Sequence, residues 1–324
     1  MRIQHGMKMN EIYNILIENL ELKRCLYETK NRIAEVTHDM KDYSATDHGI
    51  AHINRVVDYL LGLYNNYFSF DLKLNEYEAF VLLVAAYLHD IGFYLQDEVV
   101  LKRFCRWAKI DFPEKNRGTF YRKRHPQISA FWIWCNITNN VNLPQIYYGD
   151  KSLAYSVMKV VMSHGMDFWK DPQYFYKMQV NGNIINEIYL SYLLCLGDTL
   201  DCDKRRIANI NNIESVKIED KIYLRRHYYI EKVLLEKNNI KIVINIPNVK
   251  SKNIKLFNYF YIEKATEWIY YWEKMCSELF ANNLKFPSID LCILQNSKIS
   301  EPTQIEYNYI KQIINEQYGK IYNK

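Results

Sequence analysis

Apolar positions recur at helical spacing through most of the first two thirds of the chain. Ile12, Ile15, Leu16, Leu20 and Leu22 predict an amphipathic helix between Asn10 and Tyr27, with Asn10 as its cap. From Asp47 to about Arg206 the pattern predicts five more helices. They cover 48–64, 76–91 ending at Gly92, 127–136 with Pro126 near the first turn, 153–164 stopping at Gly165, and 186–200. The basic stretch from Phe112 to Arg124 reads as a loop. Beyond residue 207 the period shortens to two. Tyr229–Leu235 and Ile240–Ile246 read as strands separated by Lys237-Asn238-Asn239. A helix with Ile262, Ala265, Ile269, Trp272, Cys276 and Leu279 on one face follows, then a strand over 289–294 and a last helix over 302–318. The fold class expected is mainly α: a helical bundle followed by a small α+β module of order β-β-α-β. The divisions expected are an N-terminal helical segment (1–39), a helical domain (40–206) and an accessory module (207–324).

Composition adds limits rather than identity. With 324 residues and 49% hydrophobic content, the chain can bury a sizeable core. A net charge of +5 admits anionic ligands without demanding nucleic acid. None of the seven cysteines forms a C-x-x-C pair, and several sit in apolar runs, which fits reduced thiols and a cytoplasmic setting. The apolar run Ala79–Leu88 is too short to span a bilayer, and Met1–Glu11 lacks the apolar core of a signal peptide, so no membrane partner is expected.

The chemistry concentrates in the helical region. Five of the eight histidines lie between residues 48 and 164, in an ordered series with two aspartates. His48 and His52 are four apart in Asp47-His48-Gly49-Ile50-Ala51-His52-Ile53-Asn54-Arg55-Val56, so a helix would put them on one face. His89-Asp90-Ile91-Gly92 ends an apolar helix, where a buried His-Asp pair is costly unless satisfied, for instance by a metal. His125-Pro126 opens a helix, His164-Gly165 closes one, and Asp198 and Asp201 are three apart. Each piece alone has an ordinary reading as a cap or a satisfied core residue; the ordered series does not. Imidazole and carboxylate together suit Mn, Fe, Ni, Co or Zn, with open positions for water and phosphate oxygens. Two such divalent transition-metal ions about 3.5–4 Å apart can activate a bridging water and hold a phosphoryl group.

This series resembles the HD superfamily of metal-dependent phosphohydrolases over residues 40–206, most specifically in the Asp47–Val56 and His89–Gly92 strings. The resemblance implies a helical HD-type bundle. It implies His52, His89, Asp90 and Asp198 as ligands of a first metal, with His125 and His164 as the extra ligands of two-metal members. The first string also resembles cyclic-nucleotide phosphodiesterases, which implies His48 as proton donor to the leaving oxygen, with Asp47 near enough to help hold that proton. Two features depart from the pattern: His164 is followed by Gly165 where two-metal members often pair histidines, and the Gly-Tyr-Pro signature of cyclic-di-GMP phosphodiesterases is missing. Leu196–Arg206 followed by a hairpin resembles HD modules of bacterial conflict and stress proteins, some joined to Hsp90-like ATPases.

Two basic clusters complete the reading. One spans Lys102 to Arg124, and the other is Lys204-Arg205-Arg206. Their plain reading is a solvated surface. Their functional reading is a phosphate grip, for which Arg122, Arg124, Lys204 and Arg205 are favoured because they neighbour the ligands in sequence. The expected activity is hydrolysis of a phosphoester or phosphoanhydride bond in a nucleotide-type substrate. A single-strand nuclease and a nucleotide-sensing module without turnover are the alternatives. The C-terminal module is a candidate surface for homo-oligomerisation.

Overall fold

The computed structural model describes residues 18–39, 46–68, 73–115, 117–165, 178–207, 227–237, 239–246, 267–274 and 286–295, with Leu224, Ala265, Cys276 and Ser277. The chain divides into two compact units. The first comprises Met1–Ser44, His48–Asp198 and Tyr271–Lys285; the second comprises Ala45–Asp47, Thr199–Tyr270 and Phe286–Lys324.

The first unit is built from helices α1 (Leu20–Asp39), α2 (Ile50–Leu63), α3 (Glu76–Leu88), α4 (Glu98–Ala108), α5 (Arg117–Thr138), α6 (Lys151–Ser163) and α7 (Glu187–Leu200). A short hairpin of β1 (Met178–Val180) and β2 (Asn183–Ile185) precedes α7. Helix α3 is the centre: every residue from Glu78 to Leu88 is buried, as expected of a helix apolar on all sides. Its first turn is closed by a capping box, in which Asn75 accepts from the Tyr77 and Glu78 amides and Glu78 accepts from the Asn75 amide. The other Glu78 oxygen accepts from Asn186, so one buried carboxylate ties the start of α3 to the start of α7. Buried Glu187 in turn holds Ser156 and Lys159 at 2.7 and 2.8 Å, fixing α7 to α6.

Two close approaches set the spacing of the site-bearing elements. A Cβ on Gly92 would lie 2.2 Å from the His125 carbonyl oxygen, and one on Gly197 would lie 2.7 Å from the Leu60 side chain. Gly92 donates its amide to Ser129 Oγ, which donates to the His89 carbonyl, so α5 is pinned against the turn that follows α3.

The second unit contains β3 (Ile230–Leu235), β4 (Asn239–Ile246) and β5 (Ser288–Gln295) in one sheet of that order. β3 and β4 pair antiparallel, and β4 and β5 pair parallel with Ile240 opposite Ile289. The parallel pair needs a crossover, and residues 267–274 within it are helical. Ile240, Ile242, Ile244 and Ile246 are buried, as their alternation predicts. The mainly α architecture with a small α+β module is therefore observed.

Several local expectations are corrected. Residues 117–124 are the first turns of α5, not a loop, and Pro126 lies inside that helix. α1 extends to Asp39 because Ile33 and Val36 continue its buried face beyond Tyr27. Its start is set by Asn19, whose side chain accepts from Leu22; Asn10 lies outside the described residues. α2 begins at Ile50, so His48 precedes the helix rather than sharing its face with His52. α7 ends at Leu200, so Asp201 does not continue the face of Asp198. In the crossover helix Trp268 is buried and Ile269 is exposed. Ile262, Leu279 and the helix expected over 302–318 lie outside the described residues. The β1–β2 hairpin was not expected, although Asn181-Gly182, with φ of 49° and 81°, is the dipeptide that favours such a turn. Among the described residues, no single helix is long and apolar enough to cross a membrane. None of the seven cysteines forms a disulfide, and six are buried.

Gly92→Ala tests the closest approach. The clash is with backbone that α5 cannot move cheaply, so a loss of roughly 3 kcal/mol is expected, at the upper end of overpacking penalties. Chemical denaturation of wild type and variant measures it; a loss below about 0.5 kcal/mol, the range of neutral surface changes, would show that the approach is not tight.

Candidate metal centre

Each ligand candidate is delivered by the end or interruption of a helix. α3 stops at Leu88, leaving carbonyls of its last turn without amide partners. His89, at the C-cap, donates Nδ1–H to the Ala86 carbonyl at 2.7 Å. His164 does the same at the end of α6, donating Nδ1–H to Val161 at 2.8 Å. In α5 the interruption is Pro126: it has no N–H to give the carbonyl of Arg122, four residues earlier. His125 Nδ1 reaches that carbonyl and the one of Tyr121, each at 3.1 Å. With Nδ1 occupied, each of the three imidazoles has Nε2 left for a metal once that nitrogen is deprotonated, and all three Nε2 atoms face Asp90.

Asp90 sits between two groups of donors. Its Oδ2 lies 3.2 Å from His52 Nε2, 3.3 Å from His89 Nε2 and 2.5 Å from His48 Nδ1. Its Oδ1 lies 3.3 Å from His125 Nε2 and 3.2 Å from His164 Nε2. Asp198 Oδ1, from α7, is 3.4 Å from His52 Nε2 and 3.7 Å from His89 Nε2. The His52 and His89 Nε2 atoms are 3.2 Å apart, and those of His125 and His164 are 2.9 Å apart. Ligand atoms about 2.1 Å from one ion stand about 3.0–3.4 Å from each other, so both groups have the spacing a metal requires. Three overlapping sets of donors (His48, His52, Asp90; His52, His89, Asp198; His89, Asp90, His164) each keep their ligand atoms within 4.8 Å of one another.

The charges agree with the geometry. Burial opposes a charge on His89, but the Asp90 and Asp198 carboxylates outweigh it and hold the ring up at about 10. Burial likewise opposes ionisation of Asp90 and Asp198, yet the surrounding imidazoles keep both well below the usual carboxylate range. Burial and the neighbouring His164 push His125 down to about 3, against the pull of Asp90. In the metal-free protein the His89 pairing therefore contributes stability in full below the ordinary imidazole value and loses it as pH rises through about 10. The two aspartates contribute above the ordinary carboxylate value and lose that contribution on acidification.

The chain matches the HD-CE family over residues 40–274. The chain belongs to the HD-CE family. The HD-CE match takes in all seven clustered residues and continues through the β3–β4 hairpin. No curated protein and no solved structure gave a match. An HD-type domain with a buried His/Asp cluster able to hold metal is the coarse character of this HD-CE protein, as in a metal-dependent hydrolase.

The structure brings together His48, His52, His89, Asp90, His125, His164 and Asp198. Among the four basic candidates, Arg122 is exposed and its carbonyl supports His125, while Arg124 donates to Gln127 on its own helix. Lys204 pairs with Glu231, and Arg205 grips Asp203 at 2.6–3.0 Å, both within the second unit. Asp201 pairs with Arg206, also in that unit. The carboxylate bonded to His48 Nδ1 is Asp90, whereas Asp47 gives its amide to the Arg206 carbonyl.

Phe93 was missed in the sequence. Its ring stacks on His48 and on His125, each with centroids 4.2 Å apart, while those two imidazoles are 6.4 Å from each other. Its position directly after the His-Asp-Ile-Gly string was the available signal.

Two outcomes are expected. Adding Zn²⁺ to metal-free protein at about pH 8 should release about one proton that an ordinary imidazole would already have lost, because ligation needs neutral His89. Calorimetry in buffers of different ionisation enthalpy counts it; no release would mean His89 is neutral before metal binds. Phe93→Leu should leave the protein folded but remove ring-current shifts from His48 and His125 in the NMR spectrum, while Phe93→Tyr preserves them. Unchanged resonances in Phe93→Leu would mean that the Phe93 ring does not lie against those two imidazoles.

Proposed function

We propose that this HD-CE protein is a metal-dependent phosphohydrolase acting on a phosphoester or phosphoanhydride bond of a nucleotide-type substrate. The observation that carries the reading is the division of Asp90: one oxygen faces His52 and His89, the other faces His125 and His164. That is the donor arrangement of a two-ion centre bridged by a carboxylate. His52, His89, Asp90 and Asp198 would hold the first divalent ion, and Asp90, His125 and His164 the second; Mn, Fe, Ni, Co and Zn all suit these ligands. When bound, the ions supply an activated water and neutralise phosphoryl charge.

The remaining roles fall to the chain itself. His48 lies outside α2, is nearly buried, and is oriented by Asp90 and Phe93, which suits a proton donor to the leaving oxygen. His125 and Asp198 are the most accessible cluster side chains, at 12% and 24%, so substrate approaches past them. Arg122, one turn before His125 on α5, is the substrate contact in this reading; Arg124, Lys204 and Arg205 are held by Gln127, Glu231 and Asp203. Retention of every ligand candidate disfavours a sensing module without turnover. A cytoplasmic setting and self-association through the second unit belong to the same proposal.

The test joins metal content to turnover. Full-length protein should bind close to two transition-metal ions per chain, and His125→Ala should lower that by one. It should hydrolyse bis(p-nitrophenyl) phosphate or a nucleotide, with activity absent in Asp90→Ala. His48→Ala should keep both ions and lose roughly 10²–10⁴-fold on a poor leaving group, less on nitrophenyl. Two bound ions without hydrolysis across nucleotides, cyclic dinucleotides and oligonucleotides would overturn the enzymatic reading. Loss of metal in His48→Ala would make His48 a ligand.

A further inference from the structure

Positive charge is not spread over this protein. Residues 102–124 carry nine Lys and Arg against only Asp111 and Glu114, an excess of seven, whereas the whole chain has an excess of five. Everything outside this stretch is therefore net acidic. The stretch forms most of α4 and the first turns of α5, joined by residues 109–116. The two helices pack side by side in the same direction, Glu98 meeting Arg117 and Trp107 meeting Trp134. α5 carries His125 into the cluster, within the first unit.

Part of the charge is committed internally. Glu98 pairs with Lys102 and Arg117, and both cations also lie over the Phe112 ring at 5.2 and 5.7 Å. Those contacts tie the start of α5 to the start of α4. Arg106, Lys109, Lys115 and Lys123 are exposed and have no carboxylate partner among the described residues. Arg106 and Lys109 occupy the last turn of α4, where they also face the negative end of the helix. A mononucleotide held at the cluster would need one or two cations. Four more cations without a carboxylate partner, on the helix that delivers His125 and on the one packed beside it, are in excess of that need.

We infer that the substrate is a single-stranded nucleic acid, gripped through several phosphates by α4 and the start of α5 while one phosphodiester occupies the His/Asp centre. This rests on the phosphohydrolase reading above and names its substrate class. A single strand fits better than a duplex because the cluster is nearly buried, so the reacting phosphate must leave the strand's surface to reach it.

The experiment measures binding of fluorescent oligothymidylates of about 4, 8 and 16 nucleotides to the full-length chain, with thymidine monophosphate as competitor, from about 50 to about 300 mM salt. Affinity should rise at least tenfold from the shortest strand to the longest. The slope of log K against log salt should be about −3, which corresponds to four phosphates at about 0.7 each. Reversing two charges, Arg106→Glu with Lys109→Glu, should weaken the longest strand about tenfold to a hundredfold and flatten the slope by about 1 to 2. The inference is overturned if the longest strand binds no tighter than the monophosphate, or if the double reversal leaves the slope unchanged. It is also overturned if a duplex or anionic phosphatidylserine vesicles compete as well as the strand does. Bis(p-nitrophenyl) phosphate separates the two readings: its hydrolysis reports on the centre alone, so inactivity there with length-dependent strand binding sinks the enzymatic reading and leaves the strand site standing.

Discussion

A buried carboxylate is the constraint around which this protein is arranged. Asp90 is 2% exposed, and an ionised carboxyl group at that depth is untenable without compensation. Five imidazoles supply it, three around one oxygen and two around the other. In the metal-free protein the result is a proton held on His89 and two strongly acidic aspartates. The same geometry prepares the site for ions that would replace that proton. A cluster of this kind cannot relax into something cheaper, because its donors lie on, or directly beside the ends of, helices that are packed elsewhere.

Helix termini do the orienting. A chain that needs a histidine with a free Nε2 must occupy Nδ1, and the carbonyls left open at a helix end are suited to it. His89 and His164 cap α3 and α6 in this way, and Pro126 creates an equivalent opening inside α5 for His125. Ligand orientation and helix capping are therefore one interaction. The glycines matter for a related reason: Gly92 lets the α5 backbone come close enough for His125 to reach Asp90. Ser129 then locks that approach by bonding both the Gly92 amide and the His89 carbonyl.

The charge distribution extends the same logic outward. The inner cluster holds its charges in near balance, while α4 and the first turns of α5 carry an unbalanced excess. A structural ion-pair network would need neither an accessible rim at His125 and Asp198 nor that excess on α5 and its neighbour. Both follow if an anion comes from solvent. The second unit stands apart in composition and in physics: its sheet is held by a row of isoleucines from β4, and its basic residues Lys204, Arg205 and Arg206 are engaged with Glu231, Asp203 and Asp201.

Much was already legible in the sequence. The helical and strand periods gave the order of the elements, because burial of one face writes a repeat into the residues that must meet it. The cluster members were legible because a His-Asp pair at the end of an apolar helix has few inexpensive fates. What the sequence left open was whatever depends on contacts between distant segments. Pro126 reads locally as a helix start, yet residues 117–125 before it are helical, with Arg117 paired to Glu98 and Tyr121 donating to the Leu95 carbonyl. His48 and His52 looked like one helical face, yet Gly49 ends the helix between them and Asp90 reunites them from 42 residues away. Phe93 has no chemical signature of its own; its place between two imidazoles exists only once α5 has docked. Arg124 and Arg205 neighbour ligand motifs in sequence, but successive residues on a helix point in different directions, and their side chains found Gln127 and Asp203 instead. Local pattern determined which residues could take part, and the tertiary structure decided which of them meet, because orientation is set by the packing of whole helices and not by proximity along the chain.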